Sequence, residues 1–327
     1  MRAAWYERQG APEDVLQVGS LDVPEPTAGE VRVRIRASGV NPSDTYGRSG
    51  RQAPMAFARI IPHQDGSGVI DAVGDGVPAD RVGERVWVYE ATWNRPGGTA
   101  AEYTVVPAHR AIRLPDGIDF DAGACLGIPA MTAHRAVFAD GPVTGQTLLV
   151  TGGAGAVGSA AIQLARWGGA RVLATVSSDA KARAAREAGA ADALNYRTDD
   201  VAEGIQRLTD GAGVDRIVDV DFGGNLSTTI QALKPNGVVA SYATRGEPEP
   251  KVPFRSLMAK NLVVRGILVY TMSEEAKTAA SQDITRTLES GALRPVVGQR
   301  LRLDDIHQAH TDVERGSVIG NTVLQLA

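Results

Sequence analysis

The stretch Leu148-Leu149-Val150-Thr151-Gly152-Gly153-Ala154-Gly155-Ala156-Val157-Gly158 constrains this chain more than any other. A short apolar run enters a glycine-dense turn, and the small-residue helical pattern of Ser159 to Ala165 leaves it. Gly153, Gly155 and Gly158 stand in G-x-G-x-x-G spacing, the pattern of a buried strand that turns into a helix receiving a pyrophosphate. In that reading Gly153 permits the tight turn, Gly155 lets the backbone approach the phosphates, and Gly158 lets the helix pack against the strand. The phosphates then meet the unsatisfied N–H groups of Ala156, Val157 and Gly158 at the helix start, where the dipole favours negative charge. A chain with 37 glycines shows such spacing by chance. Context strengthens it: a second apolar run, Arg171 to Val176, begins thirteen residues after Gly158, the distance that a βαβ unit needs.

At 327 residues, 43% apolar and 22% charged, the chain is long enough for one large or two ordinary globular domains. A net charge of −4 with the signs interspersed gives no electrostatic footprint for nucleic acid or an anionic membrane. Cys125 is the only cysteine, which excludes an intrachain disulfide and a thiolate zinc cluster, and its apolar neighbours predict a buried thiol. Met1 to Arg8 lacks the apolar core of a signal peptide. Leu148 to Ala165 has transmembrane length, but its glycine turn and change of period argue against a span. The expected compartment is cytoplasmic.

Residues 1 to about 125 read as β-rich. Strands are predicted at Val15–Val18, Val31–Arg36, Val69–Val73, Arg81–Val88 and Ala101–Val106, punctuated by glycine and proline. Val31 to Arg36 alternates apolar residue and arginine, as a half-exposed strand should. From about 120 the pattern changes. A helix is predicted over Pro129–Phe138, followed by alternating strands (147–151, 171–176, 192–196, 215–220, 237–242) and helices (157–167, 179–188, 199–209, 225–233). Such alternation implies a parallel, doubly wound sheet. Lys234-Pro235-Asn236-Gly237 reads as a turn. A strand over 262–269, a helix over 274–290 and β character from Ser317 to Leu326 complete the chain.

With these residues placed, the chain resembles the zinc-free quinone oxidoreductases (ζ-crystallin type) of the medium-chain dehydrogenase/reductase superfamily. The segments that carry the resemblance are Ala37 to Gly50, Gly127 to Ala133 and the glycine turn, with Pro62–Gly68, Ala188–Asp192 and Leu233–Gly237 as weaker matches. It implies a Rossmann-type α/β dinucleotide domain, 125–266, inserted in a β-rich GroES-like catalytic domain made of 1–124 and 267–327. Where zinc-dependent relatives carry a cysteine and a histidine, this chain has Asn41 and Gln64, neither a competent ligand for such a site. His63, beside that position, is one imidazole without thiolate or carboxylate partners, which makes no site. His307 and His310, three apart on a predicted helix, read as a solvated face rather than a metal pair. No metal site is expected.

The strand end that carries an acidic residue in NAD-preferring enzymes is Val176 here, followed by Ser177-Ser178. The missing carboxylate removes repulsion against a 2′-phosphate, Ser177 can donate to it, and Lys181 can supply positive charge. Tyr196 matches a family tyrosine at the same phosphate. The expected cofactor is NADPH. The resemblance further puts Asn41 at the nicotinamide region, Thr132 near its ribose, and Ser241, Tyr242, Val269 and Tyr270 near the carboxamide through backbone groups. Tyr46 and Arg48 face the substrate, Tyr46 as hydrogen-bond donor to the developing oxyanion and Arg48 steadying the same charge. Asp44 orients neighbouring backbone.

Without a Lewis acid, the chemistry implied is hydride transfer to an acceptor that spreads charge by itself, a quinone or activated enone. Reduction of 2-alkenals or 2-enoyl thioesters is the alternative, and a non-catalytic NADPH- or RNA-binding role a remoter one. The apolar stretch Leu262 to Val269 predicts a homodimer through edge-to-edge strand pairing.

Overall fold

The computed structural model describes residues 1–51 and 53–326; Gln52 and Ala327 lie outside the described residues. Contacts divide the chain into two compact units, Met1–Pro129 with Pro295–Ala327, and Ala130–Arg294. Both boundaries fall later than expected, the second by a whole helix. Residues 267–294 fold with the dinucleotide unit because Glu274–Glu289 buries Ala280, Ile284 and Leu288 there. Within that unit, His134 and Asp283 meet at 2.8 Å and the Arg294 N–H donates to Gln163.

In the discontinuous unit the long strand Glu30–Val40 is central. Asp65–Val73 pairs with it along one edge. On the other edge Tyr103–Pro107 takes residues Glu30–Arg34, and Asn321–Gln325 takes Ala37–Val40. Arg85–Val88 and Ala111–Arg113 extend the first side. Val297–Arg302 runs parallel to Asn321–Gln325, joined to it through helix Ile306–Arg315. Val31, Val33 and Ile35 are fully buried while the arginines between them are not, as the alternation predicts.

Three local expectations change. Val15 closes a one-turn helix, Pro12–Val15, begun by proline at its first position, so the strand starts at Gln17. Ala79–Arg81 is a 3-10 turn and Gly83 adopts φ +93°, leaving Arg85–Val88 as strand. Pro42–Ser49 is a helix that the pattern reading did not assign.

The contiguous unit holds a six-stranded parallel sheet in the spatial order Asp192–Asn195, Arg171–Val176, Thr147–Val150, Val214–Asp219, Leu233–Ser241, Val263–Gly266. Counted along the unit this is 3-2-1-4-5-6, the doubly wound dinucleotide order. The strands Leu148–Val150 and Val172–Val176 are buried on both faces, which explains their unbroken apolar runs. The expected turn at Asn236-Gly237 survives inside a strand: Asn236 takes φ +65° and the pairing register shifts between Leu233 and Val238. Among the described residues no helix is long and apolar enough to cross a membrane.

Candidate functional site

The candidate functional residues form two groups, one in each unit. In the discontinuous unit they gather where helix Pro42–Ser49 begins. Asn41 caps it, proline follows, and Asp44 sits at the third helical position, a start signal written in the sequence. The Asn41 N–H donates to Asp44 Oδ2 at 2.7 Å, and its Nδ2 donates to Asp65 Oδ2 at 2.8 Å. Both Asp65 oxygens also lie 2.9 Å from the Ile128 N–H. Gly127 makes that approach possible, since a Cβ there would stand 2.1 Å from Asp65 Oδ1. The buried Asn41 amide therefore has one orientation.

Burial pushes the Asp65 carboxyl well up, and pushes Asp44 up to about 7 against the N–H donors of Asn41 and Gln64. Asp44 orients backbone, as expected. Pattern reading missed Asp65, because nothing local to it names Asn41 as its partner.

Tyr46 is half-buried on the helix. Arg48 corrects an expectation. Its side chain is 1% exposed, ion-paired with Glu314 and donating to the Gly10 carbonyl. Two residues apart on a helix means opposite faces, so Tyr46 and Arg48 do not serve one charge. His310 is a second correction. It is fully buried against His63, Nε2 to Nε2 at 3.0 Å, whereas His307 is half-buried with Nε2 3.0 Å from the Leu16 carbonyl.

The donors at this place do not suit zinc. Asn41 is held by Asp65, Gln64 Oε1 accepts from the Thr92 N–H at 3.1 Å, and His63 is engaged at both ring nitrogens. Cys125 is buried, its Sγ 3.2 Å from the Asp121 carbonyl.

In the contiguous unit the expected cofactor residues stand at the carboxyl edge of the parallel sheet. Helix Ala156–Trp167 begins at Gly155, which has no side chain to cap it, so its first N–H groups face outward unmatched by any cap. The glycines divide their work differently from the expectation. Gly152, at φ +67°, makes the turn. A Cβ on Gly153 would stand 2.8 Å from Ala174 Cβ, so Gly153 serves packing on the second strand. A Cβ on Gly158 would stand 2.2 Å from the Gly152 carbonyl oxygen, so Gly158 lets the helix approach the turn. Gly155 meets nothing closer than 3.4 Å and leaves open space. This cradle fits a pyrophosphate.

Ser178 caps the next helix by accepting from the Lys181 N–H, which leaves Ser177 and the Lys181 ammonium without a side-chain partner among the described residues. The Tyr196 N–H donates to the Val176 carbonyl at 3.0 Å, bringing Tyr196 beside the same strand end. The backbones of Ser177, Lys181 and Tyr196 therefore lie around the end of strand Arg171–Val176. A cavity of about 400 Å³ adjoins it, lined by Thr175, Tyr196, Asn225, Thr228 and Thr229 among others. Asn225 and Thr228 were missed; the Gly223-Gly224-Asn225 helix start after a buried strand is the signal that could have found them.

Under the cradle, at the point where strand order reverses, buried Asp219 accepts from Thr151 Oγ1 at 2.9 Å and Asn225 Nδ2 at 2.7 Å. Thr132 is buried on helix Ile128–Phe138. Backbone groups of Ser241 and Tyr242 tie this strand end to its neighbours. The Tyr242 N–H donates to the Asp219 carbonyl, and the Ser241 carbonyl accepts from Ile267. Val269 and Tyr270 form a buried 3-10 turn in which the Val269 carbonyl accepts from the Met272 N–H.

Comparison with known proteins adds to this geometry. Residues 27–116 match the alcohol dehydrogenase GroES-like domain family, and residues 156–285 the zinc-binding dehydrogenase family. Human quinone oxidoreductase is 32% identical over 328 residues, covering 100% of this chain and 98% of the relative. A solved structure described as an NAD-dependent alcohol dehydrogenase is 33% identical, with TM-score 0.92 and full coverage of both chains. Escherichia coli quinone oxidoreductase, solved with NADPH, is 26% identical with TM-score 0.88, again over both whole chains.

Proposed function

The chain belongs to the quinone oxidoreductase (ζ-crystallin-like) family of the medium-chain dehydrogenase/reductase superfamily, and from that membership we propose that it is an NADPH-dependent quinone oxidoreductase. The observation that carries the cofactor choice is the strand end Val176-Ser177. It has no carboxylate, and one helical turn away stands Lys181, whose ammonium has no partner among the described residues. Bound NADPH supplies the hydride. The N–H groups of Ala156, Val157 and Gly158 hold its pyrophosphate, while Ser177, Lys181 and Tyr196 hold the 2′-phosphate. Asn41, fixed by Asp65, presents its amide for nicotinamide positioning. The Tyr46 hydroxyl donates to the oxygen of the acceptor as charge develops there.

NAD-dependent alcohol oxidation, the activity of the 33% identical relative, fits less well. That chemistry in this superfamily uses zinc, and Asn41 and Gln64 are poor donors for it. A panel of ortho-quinone, para-quinone, 2-alkenal and crotonyl thioester, followed by nicotinamide absorbance with NADPH and NADH, tests the reading. Quinone turnover with NADPH is expected. Turnover of the alkenal or thioester alone would transfer the assignment to the alternative, and alcohol oxidation with NAD would overturn it. Tyr46→Phe should lower kcat on the order of 100-fold while leaving the NADPH Kd unchanged. An unaltered kcat would remove Tyr46 from the reaction.

The protein is read as a cytoplasmic homodimer. Strand Val263–Gly266 is a sheet edge with Val263 and Val264 over 40% exposed, flanked by exposed Leu268 and Met258. An apolar edge of this kind invites a second copy. The wild type should scatter light as twice the chain mass, and Val264→Lys as the monomer. A monomeric wild type at micromolar concentration would count against the pairing.

A further inference from the structure

A chain of buried hydrogen bonds crosses the discontinuous unit with only one possible order of protons. The Thr99 hydroxyl donates to the Asp65 carbonyl oxygen, which can only accept. Thr99 Oγ1 lies 2.7 Å from Ser38 Oγ, and with the Thr99 proton committed, the Ser38 proton must lie between them. Ser38 Oγ lies 2.8 Å from His63 Nδ1, so that nitrogen must be the donor. Burial holds His63 neutral, its pKa down at about 3, so its Nε2 carries no proton. The 3.0 Å contact with His310 Nε2 then requires the proton on His310, whose own burial keeps it neutral and leaves Nδ1 bare. That nitrogen has no hydrogen-bond partner, and neither has the Nε–H of Arg48, whose charge acts on His310.

Two further observations tie this chain to helix Pro42–Ser49. Glu314, one turn beyond His310 on the same helix, holds the Arg48 guanidinium. His63 keeps a left-handed backbone, φ +77°, a conformation unfavourable for a residue with a side chain. Such an outlier persists where the surroundings over-determine it, and here the imidazole is bonded at both nitrogens.

We propose that His63 and His310, each in a single fixed tautomer, are positioning residues that join helix Ile306–Arg315 to strand Glu30–Val40 and so set the Asn41–Tyr46 segment for the acceptor. The positioning role rests on the reading of Asn41 and Tyr46 given above; the proton order does not.

His63→Gly is the discriminating variant, because glycine relaxes the backbone while deleting the imidazole, and it should therefore fold. Its kcat with the quinone should fall about tenfold with the NADPH Kd unchanged, while the Tm falls, because the cavity and the unpaired Ser38 and His310 groups outweigh the relaxed backbone. In the wild type, ring ¹⁵N spectra should show His63 protonated at Nδ1 and His310 at Nε2; in the variant the His310 signature should shift toward mixed tautomers. A wild-type spectrum with His63 protonated at Nε2 would overturn the proton order. An unchanged kcat in His63→Gly would overturn the positioning role. Absence of quinone turnover in the wild type would instead fault the functional reading, with the spectra still deciding the proton order.

Discussion

A Gly158→Ala enzyme should bind NADPH about two orders of magnitude more weakly than the wild type, the equivalent of about 3 kcal/mol. The added methyl would stand 2.2 Å from the Gly152 carbonyl oxygen and 3.0 Å from Gly153 Cα. Both are backbone atoms, so the conflict can be relieved only by moving the turn or the helix. Both form the cradle, and the Tm should drop with the affinity. Gly155→Ala provides the contrast. Its methyl meets only the Gly152 oxygen at 3.4 Å, an ordinary contact, but occupies the space open to the phosphates. That variant should keep its Tm and lose affinity. Titrating nicotinamide fluorescence and recording melts for both separates the roles. Wild-type affinity in Gly155→Ala would mean that the pyrophosphate does not lie over this turn.

Charge reversal at Lys181 should alter cofactor choice more than any other single change. In the wild type its ammonium has no partner among the described residues, and Ser178 anchors its backbone rather than competing for its charge. A charge-assisted bond to a phosphate contributes about 1.5–3 kcal/mol, and a carboxylate in its place adds repulsion. Lys181→Glu should raise the NADPH Kd on the order of 100-fold and leave NADH within a few-fold. The ratio of the two Kd values is the informative quantity, because damage to the fold weakens both cofactors alike. An unchanged ratio would locate the 2′-phosphate elsewhere.

Much of this fold was readable from periodicity. The run Leu148–Val150 and the spacing to Arg171 predicted the first two strands to within a residue at their ends, because strands buried on both faces leave unbroken apolar runs. The alternation from Val31 to Ile35 likewise announced which face was inside. Helix Pro42–Ser49 was legible too, in its asparagine cap, following proline and aspartate at the third position. Recognising it would have shown at once that Tyr46 and Arg48 point apart. Other features were not available locally. The partners of Arg48 and His63 are Glu314 and His310, more than two hundred residues away, and no local pattern connects them. A single buried histidine and a solvated one look identical in a sequence until the residue that covers them is known.

The pairing of Asn321–Gln325 with Ala37–Val40 also governs the order in which a newly made polypeptide can become native. During synthesis residues 130–294 emerge as one uninterrupted stretch and can close their own sheet. The strand Glu30–Val40 emerges far earlier, yet half of one edge stays open until Asn321–Gln325 has been made. Once residue 294 has been made, the nascent chain therefore carries a nucleotide unit able to fold, attached to a sheet that still lacks Asn321–Gln325, and that open edge is where chaperones would be needed and where interrupted synthesis would lead to aggregation.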